Sequence, residues 1–282
     1  MNQLQALLLH SVRAVNRTVV ITGGSSGIGA AAARELRRRG VTVAITGRSP
    51  ETARLAAEID CDHFIADYSR LDDVRALANR LLATYPRIDV LANNAGAVFA
   101  TRQMTVDGHE KTFQVNHLSP FLLTWLLRER LSDSNGCVIN TSSGAHHMGR
   151  LKLDDLESAR NYNAWRAYGT AKLMNILHAT EINDRLHGVR GVSFHPGVVA
   201  TGFAREGSAM TRLLYRKFIA SLFMLSPEQG ADTLVWLASS NDWTPGEYYV
   251  KRNPARKSAA ARDPELARKL WAMSSRLLAL GD

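Results

Sequence analysis

Short runs rich in β-branched residues alternate along this chain with longer stretches of helical periodicity, and that alternation restricts the fold more than any other feature. The short runs span 18–22, 42–46, 64–66, 90–93, 138–141 and 192–195, and helical spacing fills 30–39, 71–84 and 107–131 between them. Strands separated by helices need crossover connections, which build a parallel sheet covered on both faces. The expected fold is therefore α/β, a single doubly wound parallel sheet with helices on both faces. A chain of 282 residues, 45% of them hydrophobic, can bury a full core unaided. The unbroken alternation argues for one domain across 1–282. After 201 the pattern loosens into a loop, an amphipathic stretch at 208–225, a helix from Pro227, a short strand near 248–250 and a last helix after Asp263. A small helical substrate lid is expected at about 203–226. In such a sheet a ligand lies outside the carboxyl ends of the strands, where the strand order reverses.

The first strand runs into Thr22-Gly23-Gly24-Ser25-Ser26-Gly27-Ile28-Gly29 and then an alanine-rich helix. Gly23 suits a tight turn, Gly27 lets backbone approach a pyrophosphate, and Gly29 lets helix and strand pack closely. The helix N-terminus offers free N–H groups and the positive end of its dipole. A glycine-rich turn also closes ordinary loops, but between a strand and a helix it points to a dinucleotide. An NAD site usually places an acid at the end of the second strand; here that strand ends Ile45-Thr46-Gly47-Arg48. The planar fork of Arg48 matches a 2′-phosphate, so NADP(H) is the expected cofactor. In Asp67-Tyr68-Ser69 the Asp67 carboxylate can meet the adenine amino group or cap the following helix. Tyr68 is counted with it among the cofactor-lining residues.

Tyr168 and Lys172 stand four apart in Tyr168-Gly169-Thr170-Ala171-Lys172, hence on one helix face. A free phenol titrates near ~10, too high for acid–base work at neutral pH. A nearby ammonium favours the phenolate, which lets Tyr168 pass a proton to a carbonyl oxygen or take one from an alcohol. Tyr-x-x-x-Lys by itself usually marks a surface pair; its company gives it weight. Ser142-Ser143 follows the fifth strand, and a serine hydroxyl there can polarise the same oxygen. Asn116, at a helix kink ahead of Pro120, can hold a water that carries protons towards the lysine.

Together with Asn93-Asn94-Ala95-Gly96 and His195-Pro196-Gly197-Val198-Val199-Ala200-Thr201, these motifs make the chain resemble a short-chain dehydrogenase/reductase over nearly its whole length. The resemblance implies a Rossmann-like fold and a catalytic tetrad of Asn116, Ser143, Tyr168 and Lys172. It further implies that Asn94, Ala95, Gly96, Tyr168, Lys172, Pro196 and Gly197 line the cofactor, with Val199 and Thr201 at the nicotinamide carboxamide. Asp107-Gly108-His109-Glu110, Val115-Asn116-His117-Leu118, Ser142-Ser143-Gly144-Ala145-His146 and Ala167–Leu173 are most similar to the retinol dehydrogenase branch, whose relatives include protochlorophyllide reductase. That branch generally prefers NADP(H). Vertebrate members carry an N-terminal anchor; here 1–15 places Leu4, Leu8, Val12 and Val15 at helical spacing and reads as a surface helix. The expected location is cytoplasmic, with peripheral contact at a membrane surface.

Other features yield less specific readings. Cys61 and Cys137 lie far apart and fit buried thiols in a reducing compartment. His109, His117, His146 and His147 have no metal-site spacing, and the reaction already has its acid; structural or substrate-lining roles are expected. Tyr162 and Trp165 read as packing. The net charge of +9 is scattered, apart from Lys251, Arg252, Arg256, Lys257 and Arg262, and favours no nucleic-acid partner. In the lid stretch Met210, Leu213, Leu214, Phe218, Leu222 and Phe223 recur at helical spacing, with Arg212, Arg216 and Lys217 mostly on the other side. An apolar carbonyl or alcohol is the expected small-molecule substrate. The helices carrying Trp125 and Tyr168 are compatible with a homodimer. The alternative function is an NADPH-binding sensor or scaffold with little activity.

Overall fold

The computed structural model describes residues 17–197 and 225–281. Seven strands run parallel: β1 (Thr18–Ile21), β2 (Thr42–Gly47), β3 (Asp62–Ile65), β4 (Val90–Asn93), β5 (Cys137–Thr141), β6 (Arg190–His195) and β7 (Tyr248–Val250). A two-residue strand, β8 (Asn253–Pro254), returns antiparallel to β7 and, among the described residues, is the one departure of the sheet from the all-parallel expectation. The sheet order is β3-β2-β1-β4-β5-β6-β7-β8, so the chain reverses direction across the sheet between β1 and β4. The glycine loop leaves β1 at that switch point, where a doubly wound sheet opens a crevice.

Period-two alternation sorts strand side chains between two cores. Val19, Ile21, Val43, Ile45 and Ile139 pack under α1 (Gly27–Arg38), α2 (Glu51–Ile59) and α6 (Pro227–Ser239). Val20, Leu91 and Val138 face the other way, under α3 (Leu71–Thr84), α4 (Ser119–Asp133), α5 (Ala164–Arg185) and α7 (Pro264–Leu277). The buried run Ala30 to Ala33 lets α1 lie close to the sheet. The two late helices start where their caps dictate. Ser226 and Gln229 form a reciprocal capping box on α6, and Asp263 accepts the amides of Glu265 and Leu266 ahead of Pro264 on α7.

The stretch 107–131 is not one helix. A single turn, Lys111–Phe113, passes into a π-helical segment, Gln114–Leu118, before α4 begins. Pro120 has no amide proton, so an α-helical bond to the carbonyl four residues back, that of Asn116, cannot form. The segment widens instead, with Ser119 N–H donating to Gln114. Such bulges recur at functional sites.

Several sequence expectations fall outside the described residues: the surface helix at 1–15, Val199, Thr201 and the stretch 198–224, which holds nearly all of the expected lid. Among the described residues, no helix is long and apolar enough to cross a membrane. The basic segment is tied down in part: Arg252 pairs with Asp232, and Lys257 Nζ donates to the Gly246 carbonyl at 3.0 Å. Burial raises both cysteine thiols to about 11, in keeping with inert roles.

Candidate active site

The glycine loop is shaped for something its own side chains do not fill. Gly23 and Gly27 adopt φ of 63° and 53°, the left-handed region that side chains rarely enter. A Cβ on Gly23 would stand 2.9 Å from Ala95 Cα, and one on Gly29 would collide with the Gly23 carbonyl. Ser26 caps α1 without a side-chain hydrogen bond, and the first turn holds no acid. Its amides therefore keep the capacity for an anion. Ser25 and Ile28 are half-buried along the same turn, and Ser26 is exposed. Thr22 is fully buried, and its Oγ1 accepts from the amides of Asn94 and Ala95, both at 3.0 Å. Asn94 Nδ2 donates back to the Thr22 carbonyl at 2.9 Å. These two side chains clasp the ends of β1 and β4 together.

Beside this loop, Gly47 ends β2 so close to Ser25 that a Cβ would come within 3.1 Å of its hydroxyl. Arg48 follows directly and is exposed. Asp67 Oδ1 accepts from the amide and hydroxyl of Ser69 at 2.9 and 2.8 Å, closing a local turn. It does not cap α3. The Leu71 amide there is met from another loop by Asp107 Oδ2, at 2.8 Å. The Tyr68 side chain is buried in the core, and its carbonyl accepts from Ser119 Oγ at 2.7 Å and Gln114 Nε2 at 3.3 Å.

On α5, Tyr168 and Lys172 are 7% and 2% exposed, with Lys172 Nζ 5.4 Å from the Tyr168 ring centre. Nζ donates to the Thr141 carbonyl at 3.1 Å. Burial alone pushes the Lys172 ammonium down to about 7, so it is poised to change charge near neutrality. Three elements meet at Gly96, where a Cβ would stand 2.5 Å from Asn116 Oδ1 and 3.0 Å from Lys172 Nζ. The Asn116 side chain is fully engaged: Oδ1 accepts from Ala97 N–H at 3.2 Å, and Nδ2 donates to the Ala97 and Thr112 carbonyls at 2.9 Å each. Its main-chain carbonyl is the one that Pro120 cannot serve. Glu110 anchors this turn by accepting the amides of Thr112 and Phe113, both at 2.8 Å.

The adjacent serines divide their work. Ser142 is buried and donates to the Lys172 carbonyl at 2.7 Å. Ser143 is half-buried; its Oγ accepts from Ala145 N–H at 3.2 Å, which leaves the hydroxyl proton free to donate. The residue after Tyr168 sets how near this serine turn comes. A Cβ on Gly169 would stand 2.5 Å from the Ala145 carbonyl, so only glycine lets α5 press on the turn. Gly169, Thr141 and Gly47 were not singled out from the sequence; the glycine within a helical pattern was the one available signal.

The remaining aromatic and histidine residues support this frame. Tyr162 donates to the Phe99 carbonyl at 2.8 Å, and Trp165 meets the Tyr168 ring edge-on at 6.5 Å. His109 bonds Glu157 at 2.8 Å, and His146 lies 2.7 Å from the Ser143 carbonyl. His195, at the end of β6, is pushed down to about 4, mainly by burial. Beyond it Gly197 turns the chain at φ 86° after Pro196.

A family profile described as short chain dehydrogenase matches residues 17–212. The chain belongs to that family. Within it, the similarity is to the retinol dehydrogenase-like branch. Mouse retinol dehydrogenase 12 is 39% identical, covering 96% of this chain and 89% of its own. A candidate daunorubicin C-13 ketoreductase from Streptomyces sp. (strain C5) is 46% identical, covering 94% and 93%. A crystal structure of an uncharacterised protein from Mycobacterium paratuberculosis superposes with a TM-score of 0.78 at 33% identity, covering 94% of each chain.

Proposed function

We propose that the chain uses NADP(H) to interconvert an apolar aldehyde or ketone and its alcohol, with Tyr168 as acid and base. One observation carries the reading: Tyr168, Lys172, Asn116 and Gly96 converge, next to the serine turn, at the carboxyl ends of β4 and β5. The relatives named for a retinol and for a ketone add support.

The fit to a dinucleotide rests on the left-handed Gly23 and Gly27, the space that a Cβ on Gly29 would fill, and the uncompensated α1 N-terminus. When bound, the nicotinamide supplies or accepts a hydride. The Gly23–Gly29 turn would hold the pyrophosphate, Arg48 the 2′-phosphate, and Asp67 with the Tyr68 main chain the adenine. Lys172 would hold the ribose, Val199 and Thr201 the carboxamide, and Asn94, Ala95, Gly96, Pro196 and Gly197 would line the cofactor. Ser143 donates its hydroxyl proton to the substrate oxygen, polarising it where charge develops. Tyr168 gives its proton to that oxygen in reduction and removes it in oxidation. Lys172, when protonated, favours the phenolate, and the Asn116 carbonyl orients water on the lysine side.

The apolar residues of 203–226 would close over the substrate, and Arg212, Arg216 and Lys217 would meet an anionic surface. A cytoplasmic location, one domain across 1–282 and a homodimer belong to the same proposal. For the dimer, α7 of the same chain already packs Trp271 on Phe121, with ring centres 4.7 Å apart, so pairing falls to the outer faces of α4 and α5.

The test is a chain-length series of aldehydes and ketones, followed by NADPH and NADH oxidation in parallel. Turnover with NADPH that rises with chain length supports the reading. NADPH binding without turnover on any carbonyl favours a sensor or scaffold, and equal dissociation constants for the two cofactors overturn the NADPH preference.

A further inference from the structure

Behind Lys172 lies a chamber of buried polar side chains that the proposed reaction leaves unused. Asn93 of β4, Asn140 of β5, His117 of the π segment, Thr124 of α4, Asn175 and His178 of α5 and Ser274 of α7 are each at most 3% exposed. Hydrogen bonds join most of them. Asn93 Nδ2 donates to Asn140 Oδ1 and Thr124 Oγ1, both at 3.0 Å. Asn140 Nδ2 donates to the Asn175 carbonyl at 3.0 Å and to His178 Nδ1 at 3.1 Å. His117 Nε2 lies 2.9 Å from Ser274 Oγ. The chamber reaches the candidate site through one atom, the Thr141 carbonyl, which accepts from Asn175 Nδ2 at 3.2 Å and from Lys172 Nζ at 3.1 Å.

Four buried atoms in this group have no hydrogen-bond partner: Asn93 Oδ1, Asn175 Oδ1, His117 Nδ1 and His178 Nε2. Folded interiors rarely leave such atoms unpaired, and internal water is their usual partner where the site is polar. Their roles are complementary. The Asn140 amide donates to His178 Nδ1, which must then be the acceptor, so Nε2 carries the ring proton. The unpaired set thus holds a donor on His178, acceptors on the two carboxamides and a ring nitrogen of His117 beside Asn175, and water can partner each as donor or acceptor. The rings of Phe121 and Trp271 lie 5.0 and 5.6 Å from that of His178. Burial keeps both histidines neutral, His117 pushed down to about 3 and His178 well below its ordinary range.

We propose that this chamber binds internal water and, through Asn175, steadies the Thr141 carbonyl against Lys172, which makes Asn175 a positioning residue for the lysine. The functional part rests on the reading of Lys172 given above. Lys172 is faced by Tyr168 on its own helix, the Asn116 amide from the π segment, the Gly96 backbone and Thr141 of β5. Among the described residues no charged group acts on it; burial is the cause of its lowered proton affinity. The polarity behind it therefore decides how low that affinity goes.

The experiment uses the cofactor-free protein. Lysine labelled with 13C follows the Lys172 titration, 15N-labelled histidine reports the ring tautomers, and high-resolution diffraction shows the chamber contents. The expected wild-type result is ordered water on Asn175 Oδ1 and an Nε2-protonated His178. Asn175→Leu, which replaces polar surroundings with apolar ones, should lower the Lys172 proton affinity by about tenfold, one pH unit. Asn175→Ser, which keeps a hydroxyl and leaves room for another water, should restore most of it. The pH profile of kcat/KM should move in parallel. A dry chamber in wild type, an Nδ1-protonated His178, or a folded Asn175→Leu with an unchanged Lys172 titration would overturn the proposal. The diffraction and tautomer results stand even if the leucine variant fails to fold. All three structural readouts apply even if the chain turns over no carbonyl, so a failure of the enzymatic reading is told apart from a failure of this one.

Discussion

Between β1 and α1 the candidate site is made of backbone, whereas around α5 it is made of buried side chains. The glycine turn depends on left-handed φ angles, missing Cβ atoms and uncapped amides. Its requirements are local, and residue type at a few positions meets them. The α5 side depends on neighbours far apart in sequence: Lys172 needs Thr141, Gly96 and Asn116 around it. A site of the first kind fails when an atom is added; one of the second fails when an atom is removed or displaced.

The sharpest break in that comparison is Tyr168→Phe, which removes one oxygen from the side-chain half and leaves the backbone half intact. Turnover should fall by about 10²–10⁴-fold while NADPH binding, followed by fluorescence titration, stays near wild type. Near-normal turnover on a verified substrate would refute the acid–base assignment.

Gly169→Ala tests whether the side-chain half also relies on a missing atom. The new methyl meets the Ala145 carbonyl and must push α5 off the serine turn. Displacements of this kind cost up to about 100-fold, so kcat should drop well beyond any change in NADPH affinity. An equal loss in both would instead indicate general unfolding.

Arg48→Ala addresses the exposed edge of the backbone half. Removing a charge-assisted contact to a 2′-phosphate should weaken NADPH by about tenfold and leave NADH unchanged, measured as dissociation constants. An unaltered ratio would place the 2′-phosphate elsewhere.

A further prediction concerns stability. Lys172 titrates at about 7 in the fold against an ordinary 10.5, so between these values the unfolded chain holds more protons. Stability should therefore rise with pH across that window, by at most about 1.4 kcal/mol per unit from this group. Lys172→Met should flatten the rise in denaturant titrations of the cofactor-free protein. An identical slope in both proteins would show that Lys172 is not the buried group responsible.

Much of this was legible in the residues. Strand–helix alternation foretold the parallel sheet, and α3 has the bounds that its periodicity predicts. The Asn116 kink was readable because Pro120 acts on a carbonyl a fixed four residues away. That Thr22 and Asn94 clasp two strand ends was not legible, because those ends adjoin only where β4 lies beside β1. Nor was the turn of the Tyr68 ring into the core. Neither outcome has a local signal, since both depend on which surface the strand ends present once the sheet is built.

The sequence by itself determined the parallel α/β architecture, the turn at Gly23–Gly29, the kink before Pro120 and the shared helix face of Tyr168 and Lys172. Each follows from steric or hydrogen-bonding limits acting over a few residues. Only the tertiary structure decided that Asn116 spends its side chain on Ala97, that Ser142 holds the helix while Ser143 keeps a free proton, and that Lys172 is buried enough to titrate near neutrality. Those outcomes rest on long-range packing and desolvation, which set the protonation and partners of a side chain after the backbone has placed it.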